Sequence, residues 1–105
     1  MNRELKISPE VYDNLREIKE YISKDNPVAA KKVVDEILDE IEKLKYRASI
    51  GTSLANRVRR KTRLKFILVH KYIVIFELNP ETVEVVLVVH SARKLEALKL
   101  WNTQD

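Results

Sequence analysis

The sequence predicts an α+β domain in which a hairpin of two helices lies on an antiparallel sheet. Three observations carry this expectation. Apolar residues recur at spacings of three and four through the first half of the chain, the period of one helix face. The second half changes to runs of Val, Ile, Phe and Tyr, the residues that suit a pleated, half-buried surface. One glycine and three prolines in 105 residues (Gly51, Pro9, Pro27 and Pro80) fall at the junctions between these stretches and punctuate the chain.

Residues 3–7 predict a short first strand, because Leu5 and Ile7 alternate with Glu4 and Lys6. Ser8-Pro9 then predicts a helix start. Serine offers an N-cap oxygen, and proline at the first helical position gives up a donor the helix does not use. Val11, Leu15, Ile18 and Ile22 form the apolar stripe of that helix, which ends at Asp25-Asn26-Pro27. Asn26-Pro27 opens a second helix by the same device. Its stripe is Ala30, Val33, Val34, Ile37, Ile41 and Leu44. The opposite side carries Lys31–Asp35 and Asp39–Lys43, spaced to pair and each worth a few tenths of a kcal/mol. Helices joined this tightly pack as an antiparallel hairpin, and each needs a further surface to hide its stripe.

After a loop around Gly51, residues 57–69 are expected to form a strand, 72–78 a second and 83–90 a third. His70-Lys71 leaves room for a tight turn, although neither residue suits one, and 79–82 provides a longer turn. Strict alternation sets Val85, Leu87 and Val89 on one face and Val86, Val88 and His90 on the other; Val74 and Phe76 likewise oppose Ile73 and Ile75. Both faces are apolar. The helix hairpin covers one, and the other needs the tail or a partner. The tail from Ala92 carries Leu95, Leu98 and Trp101 at helical spacing, which predicts a short final helix with Trp101 as a packing residue.

Length and composition bound the function. The chain fits one domain over 1–105. A domain of this size hides roughly two-thirds of its unfolded surface, enough for a core but not for a deep active site as well. There are no cysteines, which excludes thiolate chemistry and disulfides, and with two histidines no metal site is expected and no cofactor is implied. The charged N-terminus lacks a signal-peptide pattern, and no apolar run is long enough to span a membrane. The expected location is the cytoplasm. The net charge of +4 is modest, but acidic residues concentrate in the first half.

Arg57, Arg59, Arg60, Lys61, Arg63 and Lys65 place six cations within nine residues. On a strand, five of them would share one side and repel unless an anion intervened. That arrangement suits phosphates or an acidic partner segment; the competing reading is a solvated strand edge. His90 ends a strand; imidazole is the usual side chain for proton transfer near neutral pH, so it suits that role, or it is simply satisfied by local hydrogen bonds. Arg93 suits a phosphate or a tie to Glu96. His70, in a turn, is expected to be exposed and inert.

Several local patterns resemble one family over nearly the whole chain. They are Ser8-Pro9-Glu10 ahead of Leu15, Ile18 and Tyr21-Ile22; Asn26-Pro27 followed by Ala29-Ala30; Gly51 before the sheet; Tyr72-Ile73-Val74-Ile75-Phe76; and Val88-Val89-His90-Ser91-Ala92-Arg93. Their order resembles the RelE/ParE toxins of bacterial type II toxin–antitoxin systems. The resemblance implies growth arrest and plasmid stabilization, with neutralisation by a cognate antitoxin that wraps the toxin, in a hetero-oligomer or alongside a toxin homodimer. It also implies one of two targets. RelE-type toxins cleave messenger RNA on the ribosome without metal; here His90 would move protons while Arg63 and Arg93 hold developing phosphate charge. Such toxins often carry a tyrosine or second histidine near the C-terminus, which this tail lacks. ParE-type toxins poison DNA gyrase and are not known as enzymes. The long second helix and the His-Ser-Ala-Arg ending resemble ParE more closely. A third reading is a domain that has lost toxicity and retains only partner binding.

Overall fold

The computed structural model describes residues 2–58 and 61–95. Strand β1 (Glu4–Ile7) leads into helices α1 (Pro9–Ser23) and α2 (Pro27–Arg47). A 3-10 turn and a two-residue strand, β2 (Thr52–Ser53), follow, then a second 3-10 turn over Leu54–Asn56. Strands β3 (Leu64–Val69), β4 (Tyr72–Leu78) and β5 (Thr82–His90) complete the described fold. The five strands form one sheet in the order β1-β5-β4-β3-β2. The three long strands make the expected antiparallel meander. β1 joins it parallel to β5, with Leu5 opposite Val83 and Ile7 opposite Val85, so the sheet is mixed. A parallel neighbour requires a crossover, and the helix hairpin supplies it.

The helices form where their stripes predict. Val11, Leu15 and Ile18 of α1 and Ala30, Ile37, Ile41 and Leu44 of α2 are buried, while Val33 and Val34 are half-buried at the edge of the stripe. The two starts differ. The Asn26 side chain accepts a hydrogen bond from the Ala29 N–H at 3.0 Å. The Ser8 hydroxyl makes no such bond. Its carbonyl instead accepts from the Val11 N–H at 2.9 Å, and its own N–H donates to the Val85 carbonyl at 2.9 Å, so Ser8 continues the sheet rather than capping the helix. Asn26→Ala is therefore expected to lower stability by about 1 kcal/mol in chemical denaturation, whereas Ser8→Ala should cost less than that. The Lys31–Asp35 pair forms at 2.7 Å on exposed positions and the Asp39–Lys43 pair at 3.4 Å between an exposed carboxylate and a half-buried lysine; such surface pairs add little.

Two features of the sheet depart from the sequence expectation. The strand predicted from residue 57 begins only at Leu64. Leu54 and Val58 are buried instead, and the Arg57 N–H closes a turn onto the Leu54 carbonyl at 2.9 Å. Alternating charge resembles strand periodicity, but here the buried pair four residues apart determines the local structure. The cations from Arg57 to Arg63 consequently do not line one side of a strand; among the described ones only Lys65 lies within β3.

The second departure is a bulge. Pairing steps from Ile75–Leu87 to Phe76–Val85, which leaves Val86 as an extra residue. Strict alternation breaks at that point. Val83 and Val85 face the helices together with Val74 and Phe76, while Leu87 and Val89 join Ile73 and Ile75 on the opposite face. The expectation that Val85, Leu87 and Val89 share a side is thereby corrected. The opposite face is covered in part by Leu54, Val58 and Leu95, so the 48–58 segment contributes a cover that periodicity alone had not indicated. Of the tail expected to form a final helix from Ala92, only residues up to Leu95 are described, as a turn with Leu95 buried; Leu98 and Trp101 lie outside the described residues. No helix among the described residues is long and apolar enough to cross a membrane.

Candidate functional site

The bulge fixes which side chains reach the end of the sheet. Beyond it Val88 faces the helices, and the register sets His90 directly opposite Tyr72. β1 stops at Ile7, which leaves the outer edge of β5 unpaired past Val85. Helix α1 closes that edge: the Asn14 side-chain oxygen accepts a hydrogen bond from the Val88 N–H at 3.0 Å. Between α1 and the end of the sheet lies an open cleft of about 570 Å3. Asn14, Glu17, Ile18 and Tyr21 form its helical wall; Lys71, Tyr72, Val88, Val89, His90 and Arg93 form the rest.

Local bonds hold the candidate side chains there. The Ser91 N–H donates to the Lys71 carbonyl at 2.7 Å, which ties the tail to the β3–β4 turn. The Arg93 N–H donates to the His90 carbonyl at 3.0 Å. The Ala92 N–H donates to His90 Nδ1 at 3.0 Å. Because Nδ1 accepts, the neutral ring carries its proton on Nε2 and presents a donor. The ring stands edge-on to Tyr72, with centroids 5.4 Å apart. Burial, and secondarily the neighbouring Tyr21, push the Tyr72 hydroxyl above the ordinary tyrosine range. Tyr72 thus stays protonated at neutral pH. Its folded form is disfavoured once it ionises, so its contribution to stability is full below the ordinary tyrosine pKa and falls as pH rises through the raised one. Tyr72→Phe should remove a tyrosinate absorbance component that titrates above the ordinary range. An alkaline titration unchanged by the substitution would contradict this assignment.

The residues singled out in the sequence separate into three locations. His90 and Arg93 meet in the cleft, with Lys71, Tyr21, Tyr72, Glu17 and Asn14, which sequence reading had not selected. Tyr21 and Tyr72 lay within motifs already noted, but nothing in their spacing indicated that they would meet. Lys61 and Arg63, both exposed, lead into β3, and Lys65 is half-buried within it. The Leu64 end of β3 and the His90 end of β5 lie at opposite ends of the sheet, roughly 16 Å apart at ~3.3 Å per residue. Arg63 is therefore not brought to His90. Arg57 projects its guanidinium over the Phe66 ring, 5.4 Å from the centroid, on the opposite face. Arg59 and Arg60 lie outside the described residues. His70, expected to be inert, contacts Glu36 of α2 and so connects the β3–β4 turn to the helix. It holds a positive φ of 55°, the geometry that a tight turn demands of a residue poorly suited to it.

The family described as ParE toxin of type II toxin–antitoxin system, parDE, matches residues 5–95. The chain belongs to the ParE toxin family. A search of curated protein sequences finds no match. Among solved structures, this ParE-family chain is similar to one from a chromosomal ParDE toxin–antitoxin system of P. aeruginosa, with a TM-score of 0.69 and 16% identity over 84% of this chain and 95% of that one. It is also similar to a chain of the archaeal RelE–RelB complex from Pyrococcus horikoshii, with a TM-score of 0.56 and 14% identity over 90% of this chain and 100% of that one. At such identities the likeness concerns the fold. The expected RelE/ParE architecture is present, and the ParE family covers both walls of the cleft.

Proposed function

We propose that this ParE-family toxin arrests growth by inhibiting DNA gyrase, acts in the cytoplasm, and is neutralised by a cognate antitoxin. The observation that carries this reading is the match to the ParE family over residues 5–95. The separation of Arg63 from His90 supports it, because the trio envisaged for RNA cleavage does not converge. In this reading the exposed polar groups of the cleft, His90, Arg93 and Lys71, serve recognition rather than bond-breaking. Arg57, Lys61, Arg63 and Lys65 provide cationic groups for a target or partner; Arg59 and Arg60, which belong to the same run in the sequence, lie outside the described residues.

A second reading, ribosome-dependent cleavage of messenger RNA, draws on a separate observation. The cleft gathers His90, Arg93 and Lys71 with Glu17, so one proton donor, one carboxylate and two cations line the same space. Such a set is what acid–base cleavage of a phosphodiester needs in kind. Purified protein incubated with gyrase and plasmid DNA, in parallel with programmed ribosomes, distinguishes the two. The expected result is loss of supercoiling with the message intact. Normal supercoiling with cut message would overturn the gyrase reading. Harmless expression without an antitoxin in a plating assay would favour a partner-binding domain that has lost toxicity.

A further inference from the structure

The cleft between α1 and the end of the sheet has two unlike walls. The sheet wall is cationic. Lys71 and Arg93 are both exposed there, and neither takes part in an ion pair among the described residues. One comes from the β3–β4 turn and the other from the start of the tail. The bond from the Ser91 N–H to the Lys71 carbonyl ties these two segments together. His90 adds an Nε2–H donor to the same wall. Like charges gathered without a counter-charge repel each other, and an anion relieves that repulsion.

The helical wall is aromatic and acidic. Glu17 and Tyr21 are four residues apart and so share one face of α1. Tyr21 is 71% exposed, and its ring makes no stacking or cation contact among the described residues. Glu17 has no ion-pair partner among them either. An ionised carboxylate only accepts hydrogen bonds, so it asks a ligand for N–H or O–H donors.

We infer that this cleft binds a free nucleoside monophosphate, with the phosphate on Lys71 and Arg93 and the base on Tyr21 within reach of Glu17. An anion site and an open aromatic ring on opposite walls match the two ends of such a molecule. The volume of about 570 Å3 lies in the range of small-molecule sites. A tyrosine ring stacks on any base, since every base has a π-face. Glu17 favours guanine, whose edge offers adjacent N–H donors to a carboxylate. The charge here suits one phosphate rather than a strand: Lys61, Arg63 and Lys65, which a longer backbone would need to reach, lie at the other end of the sheet. The inference rests on neither reading of the target.

The test titrates the full chain with GMP, guanosine and inorganic phosphate while backbone amide resonances are followed. GMP should shift the amides of Glu17, Tyr21, Lys71 and Arg93. Guanosine and phosphate, each keeping one end of the ligand, should bind at least ~10-fold more weakly. Tyr21→Ala should weaken GMP by at least ~10-fold and leave phosphate unchanged. Lys71→Gln/Arg93→Gln should weaken both GMP and phosphate. Both variants alter exposed side chains, so the rest of their spectra should match the parent. A Lys19→Gln/Lys32→Gln control removes the same charge from the helices and should bind GMP as the parent does. The inference is overturned if GMP shifts only residues outside the cleft or none, if phosphate alone binds as tightly as GMP, or if the control loses as much affinity as the cleft variants. Neither gyrase nor a ribosome enters the experiment, so the supercoiling result stands or falls separately.

Discussion

Phe76→Ala should destabilise the domain by about 3–5 kcal/mol, the largest effect expected of any single truncation here. Phe76 is fully buried on the central strand β4, between Lys65 of β3 and Val85 of β5, and faces the helix hairpin. It belongs to the same core cluster as Val74, Val85 and the buried stripes of both helices. Removing the ring leaves a cavity that the sheet cannot close without moving both neighbours. A domain of this size has about 5–15 kcal/mol in all, so the variant would be partly unfolded at ordinary temperature. Denaturant unfolding read by circular dichroism measures the loss. A cost below about 1 kcal/mol would mean that the ring contributes little to the core. β4 also carries Tyr72 into the cleft, so the same change would disturb the candidate site.

Gly51→Ala should cost about 1–3 kcal/mol, and the cause is the same ring. A Cβ built on Gly51 would stand 2.5 Å from Phe76 Cζ and 3.0 Å from Cε1. The backbone there, at φ −65° and ψ 151°, is open to any residue, so space and not conformation requires glycine. The two sites should therefore be coupled. Gly51→Ala combined with Phe76→Leu should lose less stability than the two single changes added together, and a double-mutant cycle reads the difference. Simple additivity would show that the alanine methyl finds room by another route. The glycine that the sequence motif marked before the sheet thus acquires a physical role: it lets the loop that brings Leu54 and Val58 onto the second face pass close over the core.

How much could be read beforehand depended on how local the signal was. The Asn26-Pro27 start and the stripe from Ala30 to Leu44 describe α2 almost completely, because helix periodicity and capping act within a few residues. Tyr72–Leu78 was legible for the same reason. The stretch from Arg57 to Arg63 was misread because alternating charge carries no information about which residues are buried. The faces of β5 were misread past Val85 because a bulge depends on the neighbouring strand. Of the site, His90 and Arg93 were visible in the closing motif. Their companions Glu17, Tyr21 and Lys71 were not, because each reaches the cleft along a different element.

The amino-acid sequence alone determined the class of fold, the two helices, the central strands and the family to which the chain belongs, since each rests on patterns within a helix turn, a strand or a short motif. Tertiary structure alone decided that β1 lies parallel to β5, that Val86 shifts the phase of the last strand, that Arg63 and His90 stay apart, and that Tyr21 meets Lys71 and Arg93 in one cleft. Those outcomes follow from strand register and from packing between distant segments, and neither quantity is written in the spacing of neighbouring residues.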